Sequence, residues 1–330
     1  MEIVPVPHSS HPQTDLVELT DDESARTART AAALCSPEHR VDDPQWVARA
    51  RAAWSELPLS VRQKVHAFRR RAGDTGTLLI RNLPLGEDPV PATPSVSGSV
   101  QRDTTVAAAV LMMLACGLGD PAAFRAEKSG ALVQDVVPVP GQEDFQGNAG
   151  SVALMMHNEN AFHRHRPDLV MLLCLRADHE QVAGLRTSCI REALPLLTAE
   201  TREALSLAEF STQPPPSFGS GGAPTPPHAV LFGDPLDPDI RVDFAATSGL
   251  GPRAEKALTE LEAALDRVSR TVRLLPGELA VVDNRTTLHG RTAFRPRYDG
   301  QDRWLQRAFV LNDLRRSRDH RPDDGYVLVR

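Results

Sequence analysis

Between residues 21 and 72 apolar side chains recur at three- and four-residue spacing, first after Asp21-Asp-Glu-Ser-Ala and again after Asp43-Pro-Gln-Trp. Acidic residues and proline suit the first turn of a helix, so this stretch predicts two or three helices. Thr77-Leu-Leu-Ile-Arg-Asn-Leu-Pro reads as a strand closed by Pro84, and the Pro- and Ser-rich residues 89–98 read as a loop. Residues 106–118 are apolar on every side, as in a buried helix, and Gly119-Asp120-Pro121 stops them. The pattern then changes to short β-type runs punctuated by Gly, Pro and Asp: 131–139, 151–156, 168–175, 229–232, 240–244, 272–275, 278–282 and 304–311. One helix, 252–268, interrupts them. Many short strands with irregular connections predict a mainly β fold with flanking helices, a sandwich or jelly roll, rather than alternating β-α units. Residues 213–227 are too dense in Pro and Gly for a core element and too long for an ordinary turn, and read as a lid or disordered loop. The expected organisation is a flexible leader, 1–14, before a single domain, 15–330, with a helical part at about 15–128 and a β core at about 129–330.

Composition removes several function classes. The 330 residues are 41% hydrophobic and 24% charged, as in a globular protein with a sizeable core, and no run approaches the roughly 18 apolar residues needed to span a bilayer. A net charge of -6 with intermixed signs offers no basic face for nucleic acid; the arginines at 69–71 and 315–318 form only short clusters. The first residues lack a positive stretch followed by an apolar core, so the chain reads as cytoplasmic. Cys35, Cys116, Cys174 and Cys189 are far apart and form no C-x-x-C pair, which predicts free thiols in a reducing compartment.

Candidate chemistry lies in three segments. In Met155-Met-His-Asn-Glu-Asn-Ala-Phe-His, His157 and Glu159 are two apart at the end of an apolar run; on an extended chain they face the same side and can grip one ion. Far downstream, Pro276-Gly-Glu-Leu-Ala-Val-Val-Asp-Asn-Arg-Thr-Thr-Leu-His-Gly-Arg reads as a turn, a buried strand and a polar turn that delivers His289. Two imidazoles and a carboxylate on one face of an octahedral metal leave three positions open, enough for a co-substrate and O2. The third segment follows at once, with Arg303 and Arg307 four apart on an apparent strand, where planar guanidinium groups match carboxylates in bidentate fashion. Their plain alternative is surface pairing with Asp299 and Asp302.

Together with Gly130-Ala-Leu-Val-Gln-Asp-Val-Val-Pro, Arg166-Pro-Asp-Leu-Val-Met-Leu-Leu-Cys-Leu-Arg-Ala-Asp-His and Arg191-Glu-Ala-Leu-Pro-Leu-Leu, these segments resemble the clavaminate synthase-like branch of the taurine dioxygenase superfamily. That branch includes β-hydroxylases of free arginine and asparagine used in peptide antibiotic pathways. The resemblance covers about residues 127–312 and implies a double-stranded β-helix, or jelly roll, with flanking helices. It implies Fe(II) on His157, Glu159 and His289, and 2-oxoglutarate held by Arg303 and by a threonine matching Thr187, with Ser188 adjacent. Related halogenases replace the carboxylate to admit chloride, so Glu159 favours an oxygen-driven oxidation. Substrate contacts are implied for Arg307, Asp243, Glu127 and Asn148; plain alternatives are an exposed helix-end acid for Glu127 and a loop residue for Asn148. The arginine hydroxylases carry a second acid where this chain has Ala245, which argues against a guanidinium substrate. Asn158 stands between the two ligands where the family usually has Thr, and no role is assigned to it. His163, His165 and His179 read as hydrogen-bonded or turn residues rather than a second metal site.

The resulting expectation is an Fe(II)- and 2-oxoglutarate-dependent dioxygenase that uses O2 to hydroxylate the β- or γ-carbon of an amino acid or amino-acid-derived metabolite in natural-product biosynthesis. The substrate is either free or tethered to a carrier protein. The same cofactors could serve desaturation or cyclisation. The competing classes are a zinc hydrolase using the same ligands and a non-catalytic jelly-roll binding module.

Overall fold

The computed structural model describes residues 14–86, 89–218 and 223–329. Nearly all of the expected leader, and positions 219–222 of the expected lid, lie outside the described residues.

The helical part opens with strand β1 (Asp15–Glu18) and helices α1 (Asp21–Ala32), α2 (Pro44–Ala53) and α3 (Leu59–Arg70). Local chemistry sets their starts. Thr20 and Glu23 form a reciprocal capping box on α1, and Asp43 caps α2 with Pro44 in its first turn. Strands β2 (Thr77–Arg81) and β3 (Val100–Gln101) precede α4 (Val106–Leu118), which is capped by Thr105 and buried around nearly its whole circumference. Each fully buried Leu or Met side chain of α4 contributes roughly 1.5–3 kcal/mol of transfer free energy.

The β-rich part continues with β4 (Asp120–Phe124), β5 (Val133–Val136), β6 (Leu154–His157), β7 (Leu169–Arg176) and β8 (Leu185–Cys189). After short helices α5 (Ile190–Ala193) and α6 (Ala199–Leu205) come β9 (Phe210–Thr212), β10 (Leu231–Asp234), β11 (Asp237–Ile240), β12 (Thr247–Gly249) and helix α7 (Pro252–Arg267). The chain then runs through β13 (Arg270–Val272), β14 (Leu279–Asp283), β15 (Thr287–Arg291), β16 (Trp304–Leu311) and β17 (Val327–Leu328).

Two sheets organise these strands. The larger runs β1-β2-β14-β7-β16-β4-β17, with β5 also paired to β16 and β3 to β5; the smaller runs β13-β8-β15-β6. One apolar cluster joins α1–α4 to the larger sheet, and a second joins α5–α7 to Met156 and Leu288 of the smaller one. Between the sheets lies a third cluster, in which Leu185 of β8 packs with Leu172, Leu305 and Phe309. The order is therefore helices, large sheet, small sheet, helices: a mainly β molecule with flanking helices.

Some details differ from the sequence reading, short strands among them. The run 240–244 is not a strand: β11 ends at Ile240, and Asp243 touches β6 only through an isolated bridge to His157. Residues 190–205 supply α5 and α6, hidden in the sequence because such short helices have little periodicity. The polar turn at 284–286 leads into β15, where His289 is paired on both sides. Among the described residues, no helix is long and apolar enough to cross a membrane.

Candidate metal centre

Strand pairing assembles the centre. His289 on β15 lies directly opposite His157 on β6 and Thr187 on β8, and residues directly opposite in antiparallel strands share a face. The two imidazole rings are 4.4 Å apart between centroids. Gly290 is required beside them: a Cβ there would lie 2.6 Å from the Leu154 carbonyl, so only glycine lets β6 close on β15.

Glu159, in the turn after β6, brings Oε2 to 3.5 Å from His289 Nε2. One ligand atom from each of His157, Glu159 and His289 lies within 4.8 Å of the other two. His157 Nδ1 donates to the Met155 carbonyl at 2.8 Å; a carbonyl only accepts, so Nε2 keeps its lone pair for a metal. Burial holds the His289 imidazole below its usual range. Burial pushes the Glu159 carboxyl upward, but Arg307 and the two imidazoles outweigh it and keep the group ionised. Two imidazoles and one carboxylate fit a divalent transition metal and leave other coordination positions free.

The turn bearing Glu159 is pinned by two amides that the sequence reading missed. Asn284, fully buried, accepts from Glu159 N at 2.8 Å and donates to the carbonyls of Glu159 and Pro167. Asn158 donates to the carbonyls of Asn284 and Thr287 and accepts from Val242 N. The residue between the ligands thus has a defined structural task. A further signal was available in β5, where Gln134 interrupts an apolar run; it accepts a hydrogen bond from Arg307.

Across the cavity lie Leu305 and Arg307 of β16 and Arg303 just before that strand. Arg307 is 3% exposed and is held by Glu159 at 3.0 Å, by Glu127 and by Gln134. With its amide oxygen turned toward the guanidinium, Asn148 accepts from both Nη atoms at 3.2 and 3.0 Å. Burial would lower the Arg307 pKa, but Glu127 and Glu159 hold it above its ordinary value. Burial raises the Glu127 carboxyl even though Arg307 opposes it. Arg303 differs: it is 7% exposed, lies 5.8 Å from the Phe294 ring centroid and, among the described residues, has neither hydrogen bond nor ion pair. Neither arginine pairs with Asp299 or Asp302, which engage His179 instead.

A cavity of about 840 Å3 is bounded by His157, Glu159, His289, Arg303, Arg307, Glu127, Asn148 and Asp243. Thr187 alone of the named candidates is absent from its wall, although it is buried beside His289. Ser188 points the other way, donating to the Leu265 carbonyl at 2.6 Å.

A family model described as taurine catabolism dioxygenase TauD, TfdA family, matches residues 43–309. The chain belongs to that family. This dioxygenase is 61% identical to an L-asparagine oxygenase of Streptomyces coelicolor, over 88% of its own length and 87% of the relative's. It is 33% identical to clavaminate synthase 2 of Streptomyces clavuligerus, over 83% and 86% of the two chains. Among solved structures, it superposes with a TM-score of 0.93 and 57% identity on an asparagine oxygenase in complex with Fe(II), 2S,3S-3-hydroxyasparagine and succinate, covering 96% of this chain and 99% of the other. The non-heme iron oxygenase OrfP with Fe and alpha-ketoglutaric acid gives a TM-score of 0.86 at 28% identity, over 96% and 100%.

Two other clusters of potential ligands in this dioxygenase suit a metal less well. His165, Asp319 and His320 approach one another, but Arg164 and Arg316 lie beside His165 and oppose a cation. In the group His179, Asp299 and Asp302, Asp302 already accepts from the amides of Arg297 and Tyr298. His163 Nδ1 accepts from His165 N at 3.0 Å, a turn bond rather than metal ligation with His157. The four cysteines are free, and all but Cys35 are buried.

Proposed function

We propose that this protein is an Fe(II)- and 2-oxoglutarate-dependent oxygenase that hydroxylates free L-asparagine at its β-carbon, on a double-stranded β-helix core within one domain spanning residues 15–330. The observation that carries the reading is Arg303, a buried guanidinium with no hydrogen bond or ion pair among the described residues, in the cavity that also contains His157, Glu159 and His289. An unpaired buried cation is costly, and a carboxylate from a bound dicarboxylic acid relieves that cost. A zinc hydrolase would need no such anchor. The 61% identity to an L-asparagine oxygenase supports the choice of amino acid.

In this reading His157, Glu159 and His289 hold the iron, and Arg303 takes the distal carboxylate of 2-oxoglutarate. Fe(II) bound there, with 2-oxoglutarate and O2, supplies the two-electron oxidation of a C–H bond. Every other task falls to the chain itself. Arg307, buried among Glu127, Gln134 and Glu159, is the cation that would take the substrate α-carboxylate by exchanging one of these partners. Glu127 and Asn148, beside it, suit the α-ammonium group. Asp243, whose Oδ1 accepts from Ala245 N at 2.9 Å, keeps its second oxygen for a side-chain amide N–H. With Ala245 in place of a second acid, this end of the cavity matches a neutral carboxamide better than a guanidinium.

The test incubates purified protein with Fe(II), 2-oxoglutarate and, separately, asparagine, arginine, lysine, glutamine and histidine. Succinate and a mass gain of one oxygen should appear together with asparagine. Loss of two hydrogens would mean desaturation or ring closure, and absence of succinate with every amino acid would overturn the oxygenase reading.

A further inference from the structure

Arg291 lies two residues beyond His289 on β15, on the same face, and is 4% exposed. Like Arg303 it borders the cavity and has no carboxylate partner among the described residues, with the Phe294 ring at 5.6 Å. Its fork is nonetheless occupied: Nη1 donates to the Gly147 carbonyl at 3.3 Å and Nη2 to the Val152 carbonyl at 3.0 Å. Both acceptors belong to the connection between β5 and β6, which carries Asn148 and supplies Phe145, Gln146 and Ala149 to the cavity wall.

That connection is folded upon itself. Val139 N donates to the Ala149 carbonyl, and the amides of Ser151 and Val152 both donate to the Glu143 carbonyl. Gly150 permits the approach, since a Cβ there would lie 1.9 Å from the Phe145 carbonyl. Its attachments to the segment following His289 are few: the fork of Arg291, Phe294 N to the Ser151 carbonyl at 3.0 Å, and Tyr298 Oη to Glu143 Oε1 at 2.6 Å. The Arg291 attachment comes from a buried side chain, and it flanks Asn148 on both sides in sequence. Charge-assisted bonds from a planar guanidinium to two carbonyls fix separation and orientation together, which a single ammonium cannot do.

We infer that Arg291 is a positioning residue: it fastens the 139–153 loop to the metal-bearing strand and thereby sets Asn148 against Arg307 where the amino acid binds. The inference rests on the oxygenase reading for its kinetic consequences, but not for the fastening itself. Loss of the fork should loosen the amino-acid site while leaving the anchor for 2-oxoglutarate, Arg303 just before β16, in place.

The test compares wild type with Arg291→Gln, Arg291→Lys, Asn148→Ala and the Arg291→Gln/Asn148→Ala double variant. Arg291→Gln should raise KM for asparagine about 10-fold or more, the scale of lost hydrogen bonds from a charged group, while KM for 2-oxoglutarate stays within about two-fold. Arg291→Lys should fall between, and in the Asn148→Ala background the Arg291→Gln effect should largely vanish. An unchanged KM for asparagine, an equal rise in both KM values, or full additivity in the double variant would overturn the proposal. Amide hydrogen exchange gives a readout independent of substrate: Arg291→Gln should exchange faster across residues 139–153 and not across β7. Unchanged protection of the loop refutes the fastening even if asparagine is not the substrate. Protection lost without turnover by wild type would instead fault the asparagine reading and uphold the clamp.

Discussion

Arg303 and Asn284 illustrate two ways in which single side chains serve the centre. Arg303 has no ion-pair partner among the described residues, so Arg303→Gln should raise KM for 2-oxoglutarate roughly 10- to 100-fold, the loss of charge-assisted hydrogen bonds, with a smaller effect on kcat. Initial-rate measurements of succinate at varied 2-oxoglutarate check this. Asn284 touches no ligand side chain, yet it holds the backbone on either side of Glu159, so Asn284→Ala should weaken metal binding roughly 10- to 100-fold. Titration of the metal-free protein with Co(II), followed by absorbance, measures that loss. The candidate ligands could be picked out in the sequence because a histidine and an acid two apart suit one ion and a second histidine closes a polar segment downstream; the structure brings the three together, with Glu159 in the turn after β6 rather than on an extended strand. Gln134, Asn158, Asn284 and Arg291 were not assigned roles, because each acts on partners distant along the chain. Glu127 could be read as an exposed helix-end acid; its pairing with Arg307 became visible only when β16 was placed beside it.

Elements with strong periodicity were legible almost to the residue. The run 304–311 is β16, and the expected helix 252–268 is α7 less one residue. Short strands such as β4, β9 and β12 escaped notice because three to five residues carry too little pattern, and β8 was read only as a family match. The apolar 106–118 run was legible as buried, and its packing separates stability from activity. Leu111→Ala in α4 should cost about 2–5 kcal/mol of unfolding free energy by leaving a cavity behind the large sheet. Urea unfolding would register the change. Because α4 lies on the far side of that sheet from the metal centre, KM for both substrates should remain at the wild-type value.

At the scale of the molecule, the centre is shared between two sheets: both imidazoles come from the smaller one, and Arg307 comes from β16 of the larger, with Arg303 just before that strand. A metal bound there stabilises only the folded arrangement, by about 2.7 kcal/mol when its concentration is 100 times its dissociation constant. Adding Fe(II) to anaerobic, chelator-stripped protein should therefore raise Tm, and Glu159→Ala should abolish most of that rise. Strand β16 also pairs with β4, β5 and β7, and the ribosome makes it after all three. A nascent chain can assemble the helices and the histidine strands first, yet the middle of its large sheet stays open until β16 is threaded between strands already made. Chains stalled before that point would expose a sheet interior to aggregation and hold their imidazoles opposite no guanidinium, so acquisition of a complete cavity marks the close of folding.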